Sequence, residues 1–247
     1  SGVLVNSVPA TALNQNISYG RLPNGTGNFV FFATVTPNAV NATVGYNELL
    51  PDPTFSQQSG FFTTGFNLTL STTVPGAIIL YTLDGSEPKA SNLGGTTYSY
   101  KNQYSEHVGD ATGPLLTSSF KSFQYTAPIS IIDRSSQPNK LANISTTYHF
   151  TPFYVPTAPI YKGTVVRAKI VKAGALDSKI VSKTYNVSPQ GANRFSLPVV
   201  SLSIDENKFF DYNDGINVAG VDYDNWRIAN PGEEYPTIGN VANFFRS

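Results

Sequence analysis

The sequence contains no cysteine, no methionine and only two histidines among its 247 residues. Without cysteine, disulfides, zinc–thiolate sites, iron–sulfur clusters and thiol nucleophiles are excluded together. Charge is also scarce: Asp, Glu, Lys and Arg make up 13% of the chain, against roughly 25% in an average soluble domain. Sixteen basic side chains balance 16 acidic ones. A neutral, thinly charged chain lacks the clustered Lys and Arg that a nucleic acid or an anionic membrane surface requires, so neither is an expected partner. No run of about 18 consecutive apolar residues occurs, and no membrane insertion is expected. Helical periodicity is nearly absent as well. The best short stretch is Glu206–Tyr212, with Asp205 placed as its N-cap. The chain opens on Ser1-Gly2 and closes on Phe244-Phe245-Arg246-Ser247, which reads as a piece of a longer or processed protein.

What is present favours strands. Hydrophobic residues reach 40%, enough for a core at this length. Ser, Thr, Asn, Gly, Tyr and Val dominate, punctuated by 17 prolines and 20 glycines. Period-two alternation recurs, the mark of a strand with one buried face. Phe66, Leu68 and Leu70 alternate with Asn67, Thr69 and Ser71. Val166, Ala168 and Ile170 alternate with Val165, Arg167 and Lys169, and Val200, Leu202 and Ile204 with Ser201, Ser203 and Asp205. Ala77–Thr82 is apolar at successive positions and predicts a strand buried on both faces. The expected fold class is all-β.

Three segments separate. Residues 1–48 carry a few strands and the turn-rich run Gly20–Gly27; Pro51-Asp52-Pro53 reads as a linker, because each proline biases its predecessor toward extended geometry. Residues 55–188 hold most of the regular strands, interrupted by a polar, tyrosine-rich insertion at 89–125 that is far longer than a usual connection and is expected to be an excursion or a mobile loop. Residues 189–247 run from Ser188-Pro189-Gln190-Gly191 through the Val199–Asp205 strand into an Asn/Asp/Gly/Pro-rich stretch.

The run Pro75-Gly76-Ala77-Ile78-Ile79-Leu80-Tyr81-Thr82-Leu83-Asp84-Gly85-Ser86-Glu87-Pro88, followed by Tyr161–Ala168 and Ser178–Tyr185, resembles the fibronectin-III-like domain found at the C-terminus of chitobiases and β-hexosaminidases. The local chemistry agrees: Asp84-Gly85 suits a tight turn after the strand, and Pro88 blocks further ladder pairing. The resemblance implies an immunoglobulin/fibronectin-III-like β-sandwich over 55–188, with partial flanking β segments. Ser18–Phe29 and Thr36–Asn41 resemble the closing strands of a lamin-tail domain, so that 1–48 would be the C-terminal part of one. Arg194–Asp205, Phe209-Phe210-Asp211, Gly215–Gly220 and Ala242–Arg246 resemble the entrance to a spore-coat CotH-type atypical kinase domain. That family's nucleotide- and metal-binding residues have no counterpart before Ser247. The three resemblances in this order imply a secreted or cell-surface bacterial protein in which the CotH-like domain of the same polypeptide is a partner and polysaccharide a candidate ligand.

Chemistry-bearing groups are few. His107 lies in a polar loop beside Glu106 and Asp110 and reads as solvated surface; His149, between Tyr148 and Phe150, reads as a strand position. No Gly-x-Ser-x-Gly elbow supports a serine nucleophile. Glu233 and Glu234 are adjacent and on a strand would face opposite ways, unlike a glycosidase pair. Asp211, Asp214, Asp222 and Asp224 are the candidate calcium ligands, although the first pair sits one residue short of the calcium-loop spacing, and ordinary turn chemistry is the plainer reading. Asp84–Glu87 is a lesser cation candidate of the same kind. Tyr98, Tyr100 and Tyr104 are the candidate sugar-stacking residues; packing of the insertion onto its sandwich is the plainer reading of these too. No catalytic and no cofactor-binding residue is assigned, and no cofactor is expected. The expected role is a non-catalytic spacer or adhesion module, with the N-terminal accessory part of a CotH-type kinase as the alternative.

Overall fold

The computed structural model describes residues 2–3, 7–148, 155–233 and 241–246. Its core follows from the alternation seen in the sequence. Strand β1 (Ser18–Leu22) and β2 (Asn28–Phe32) form an antiparallel hairpin. Short strands β3 (Thr54–Phe55), β4 (Gly60–Phe62), β5 (Phe66–Leu68) and β6 (Leu70–Ser71) lead into β7 (Ile78–Thr82). The insertion supplies β8 (Thr96–Tyr100) and β9 (Leu116–Phe120), then come β10 (Phe123–Gln124) and β11 (Ile129–Ile131). The two longest strands, β12 (Thr164–Val171) and β13 (Val181–Val187), close the sandwich.

One layer is a five-stranded sheet in the order β10-β7-β12-β13-β4, antiparallel except for the parallel pairing of β4 with β13. The facing layer is built from the pairs β5–β11 and β3–β6. The inward residues are those the period-two pattern names: Val166, Ala168 and Ile170 from one sheet meet Leu68, Leu70 and Ile131 from the other, all in one apolar cluster. Tyr185 lies fully buried in that cluster, and its hydroxyl reaches the Gln57 carbonyl at 2.9 Å, so the ring is buried without orphaning its polar end. The chain is therefore a β-sandwich of the expected class. Strand β7 is buried on both faces only from Ile79 onward; Ile78 at its start is exposed.

Pro51-Asp52-Pro53 does not lie in a free linker. Leu50 just before it is buried in the sandwich core, and residues 48–50 pair with Leu176 through backbone bonds of 2.8 and 3.0 Å. One other expectation is corrected. Residues 199–205 form no ladder: Leu202 is 88% exposed, and among the described residues no strand pairs with the run. Alternation alone does not make a strand, which exists only where a neighbour accepts its hydrogen bonds. Of the two alternatives for the insertion, the structure has the excursion: β8 and β9 pair over five residues with Thr96 opposite Phe120.

Two helices follow the sandwich. The first, α1 (Glu206–Phe210), begins after Asp205 as expected, although Asp205 makes no capping bond from its side chain. The second, α2 (Gly220–Ala229), has no counterpart in the sequence reading.

Candidate functional site

The insertion and the C-terminal segment are built into one another. Tyr98 and Phe120, on β8 and β9, share an apolar cluster with Ile144, Phe210 and Val218. A second cluster joins Tyr104 to Ala219, Tyr223 and Ala242. Backbone bonding continues the contact: Tyr212 N–H donates to Ser99 O at 2.7 Å.

Charge follows the same seam, with three lysines on the sandwich side facing three acids on the other. Lys89 Nζ lies 3.0 Å from Asp205 Oδ2, while Asp205 Oδ1 accepts the Glu87 N–H at 2.5 Å. Burial pushes the Asp205 carboxyl up, but the Glu87 and Lys89 bonds outweigh it and hold the group below its ordinary range. Lys140 Nζ bonds both oxygens of Glu206 at 2.7 and 2.9 Å, and Tyr98 OH donates to Oε2 at 3.1 Å. Burial here prevails, so the Glu206 carboxyl sits above its ordinary range in spite of Lys140. Desolvation likewise raises the Tyr98 hydroxyl. Lys101, almost wholly buried, pairs with Asp224 on α2 and with Thr112 Oγ1, and its ammonium stands 5.1 Å from the Tyr104 ring centroid and 5.7 Å from that of Tyr212. Tyr212 OH completes the set with a 2.7 Å bond to Asp224.

This geometry decides how the tyrosines are used. Tyr98 and Tyr104 are 4% and 0% exposed, so neither offers a face to a sugar ring. Tyr100 is half-buried and packs against the first cluster. The residue types suited a stacking platform, but β8 turns Tyr98 and Tyr100 toward α1, and Tyr104, beyond the strand, packs against α2.

The four candidate calcium ligands lie near one another in sequence and are engaged separately. Asp211 Oδ1 accepts the N–H groups of Asn213 and Asp214, as turn chemistry predicts. Asp222 is held by Arg246 in a bidentate pair at 2.7 Å through each nitrogen. Asp224 is taken by Lys101 and Tyr212. Asp214 lies in the exposed turn. Asp84 bonds the N–H and Oγ of Ser86. Among the described residues no three His, Asp or Glu side chains gather as a metal site would require.

His107 is exposed, 3.4 Å from Asp110. His149 and Glu234 lie outside the described residues. The feature that sequence reasoning missed is a cleft of about 590 Å³ between the sandwich and the segment entering α1. It is reached by Asp84, Arg134, Lys140, Lys162 and Glu206, which come from four separate stretches of chain. No local motif marks it.

Comparison with known proteins gives a match to one family description. No curated protein and no solved structure matches the chain. Residues 57–139, from β4 through β11, match the family model of the Chitobiase/beta-hexosaminidase C-terminal domain.

Proposed function

We propose that the chain is a non-catalytic structural module of a large secreted or cell-surface bacterial protein, acting as a spacer and as the platform on which the following segment is built. The observation that carries this reading is the seam itself. Two apolar clusters and the Lys89–Asp205 and Lys101–Asp224 pairs join the insertion to residues 205–246, and Lys140, beyond the insertion, adds its pair with Glu206. A mere linker would expose these groups rather than bury them. Contact with polysaccharide is supported by the family match, not by the tyrosines. A glycan array combined with a thermal-shift panel on the chain tests it: a spacer shows no saturable sugar binding, and clear saturation converts the reading to adhesion.

A second reading has its own observation. Leu197, Val200 and Leu202 are 78%, 79% and 88% exposed along a run that joins no ladder among the described residues. Such a strip suits a strand completed by further sheet, as in the N-terminal accessory part of a CotH-type atypical kinase. Phosphotransfer by a longer polypeptide, with none by the 247 residues, favours this alternative; inactivity of both removes it.

A further inference from the structure

The cleft between the sandwich and α1 has a volume of about 590 Å³, within the range of small-molecule sites. Its walls are mainly aliphatic, including Leu141, Ile160 and Leu202. Two carboxylates reach it, and both are occupied from within the protein. Glu206 is bonded by Lys140 and Tyr98, and Asp84 by Ser86.

The cations are not balanced in the same way. Lys162 Nζ bonds only the carbonyl oxygens of Gln137 and Ile160, at 2.8 and 2.6 Å. The Arg134 guanidinium has neither an ion pair nor a hydrogen bond among the described residues, although the residue is half-buried. Lys140 is paired with Glu206, and Asp84, bonded to the neutral Ser86, keeps its charge, so Arg134 and Lys162 leave the lining with one positive charge in excess beside an apolar surface. A half-buried cation with no ion pair of its own is costly, and a bound anion lowers that cost.

We propose that this cleft binds a small organic anion with an apolar body, its acid group held by Arg134 and Lys162 and its body against Leu141, Ile160 and Leu202. The site is distinct from any sugar contact. A pyranose needs an open flat ring to lie on, whereas Phe209 and Phe210 at the cleft are locked edge to face on one another, 4.9 Å apart at 85°.

Titration of the full chain with anilinonaphthalene sulfonate, and with the uncharged N-phenylnaphthylamine of similar shape, tests the assignment. The sulfonate is expected to bind saturably and roughly tenfold more tightly than the amine. The Arg134→Ala/Lys162→Ala double variant should lose roughly tenfold in sulfonate affinity and little in amine affinity. Absence of saturable sulfonate binding, equal affinity for the two dyes, or a sulfonate affinity unmoved by the double substitution each overturns the proposal. Should the double variant lose its cooperative thermal transition, Leu202→Glu at an exposed wall position serves instead. It should weaken the sulfonate selectively by repulsion, and an unchanged sulfonate affinity is equally fatal.

Discussion

The side-chain amide of Asn243 occupies the space that any side chain on residue 220 would need: a Cβ at Gly220 would lie 2.1 Å from Asn243 Nδ2. Gly220 also has φ of +66°, in the left-handed region that favours glycine. The fully buried Asn243 has its polar groups matched. Nδ2 donates to the carbonyls of Tyr212 and Asn213, Oδ1 accepts the Asp222 N–H, and its own N–H donates to Ala219 O. One amide thereby ties the turn after α1, the start of α2 and the last described residues into a single knot.

Gly220→Ala is expected to destabilise the C-terminal segment by more than about 1 kcal/mol, from backbone strain and the displaced amide together. Asn243→Ala should cost about 1–3 kcal/mol, because it leaves the Asp222 N–H without its acceptor and removes one of the two donors at each of the Tyr212 and Asn213 carbonyls. The double variant should cost less than the sum, since both substitutions break the same knot. Urea unfolding of the three variants checks this, and strict additivity would count against a shared origin.

The Lys101–Asp224 pair should behave as a buried salt bridge does. Its side chains are 5% and 14% exposed, so removing one partner strands a charge in an apolar setting. Lys101→Met or Asp224→Leu alone is expected to cost about 3–5 kcal/mol, while the two together recover much of that loss. Thermal denaturation of the single and double variants measures the coupling; additive losses would show that the pair does not act as a unit.

These two relationships also show which parts of the molecule could be read from the sequence. The sandwich was legible because Val166, Ala168 and Ile170, or Leu68 and Leu70, alternate with polar neighbours and end on one face of a sheet. Helix α2 was not, because its buried residues are Gly220, Tyr223 and Arg227, whereas its Ile228 is 78% exposed. Apolar periodicity cannot report a helix whose inner face holds a glycine and an arginine. The pairing of Lys140 with Glu206 spans 66 residues, and that of Lys101 with Asp224 spans 123, so neither has a local signature. The tyrosines of the insertion stand out in the sequence, but whether they face solvent or a helix depends on a segment more than 100 residues away.

Calcium and chelators are expected to leave the melting temperature unchanged. Asp222 and Asp224 already have cationic partners in Arg246 and Lys101, and Asp211 is committed to its own turn. A metal would have to break these bonds before gaining its own. Scanning calorimetry with added calcium and with EDTA decides the point; a concentration-dependent rise in the transition would restore the aspartates as ligands.

Glu206 and Asp205 are adjacent, yet they should shape the acid side of the stability profile in opposite directions. Burial raises the folded-state pKa of Glu206 above its ordinary 4.5. The folded protein therefore binds that proton more tightly than the unfolded chain, and stability falls as pH climbs from 4.5 through the raised value. For Asp205 the folded pKa lies below 3.8. Its contribution is fully present above 3.8 and is lost as pH drops through the depressed value, when the Lys89 and Glu87 bonds lose their charged acceptor. Glu206→Gln should accordingly flatten the profile above pH 4.5, and at neutral pH it should be tolerated, because the amide oxygen still accepts from the half-exposed Lys140 without a buried charge. Asp205→Asn should destabilise at neutral pH and lose the steep decline below 3.8. Urea midpoints measured from pH 3 to 8, an interval about one unit wider than the two ordinary values on the acid side, separate the two effects. Wild-type and Glu206→Gln curves that run parallel across the whole interval would mean that the carboxyl is not held above its ordinary range.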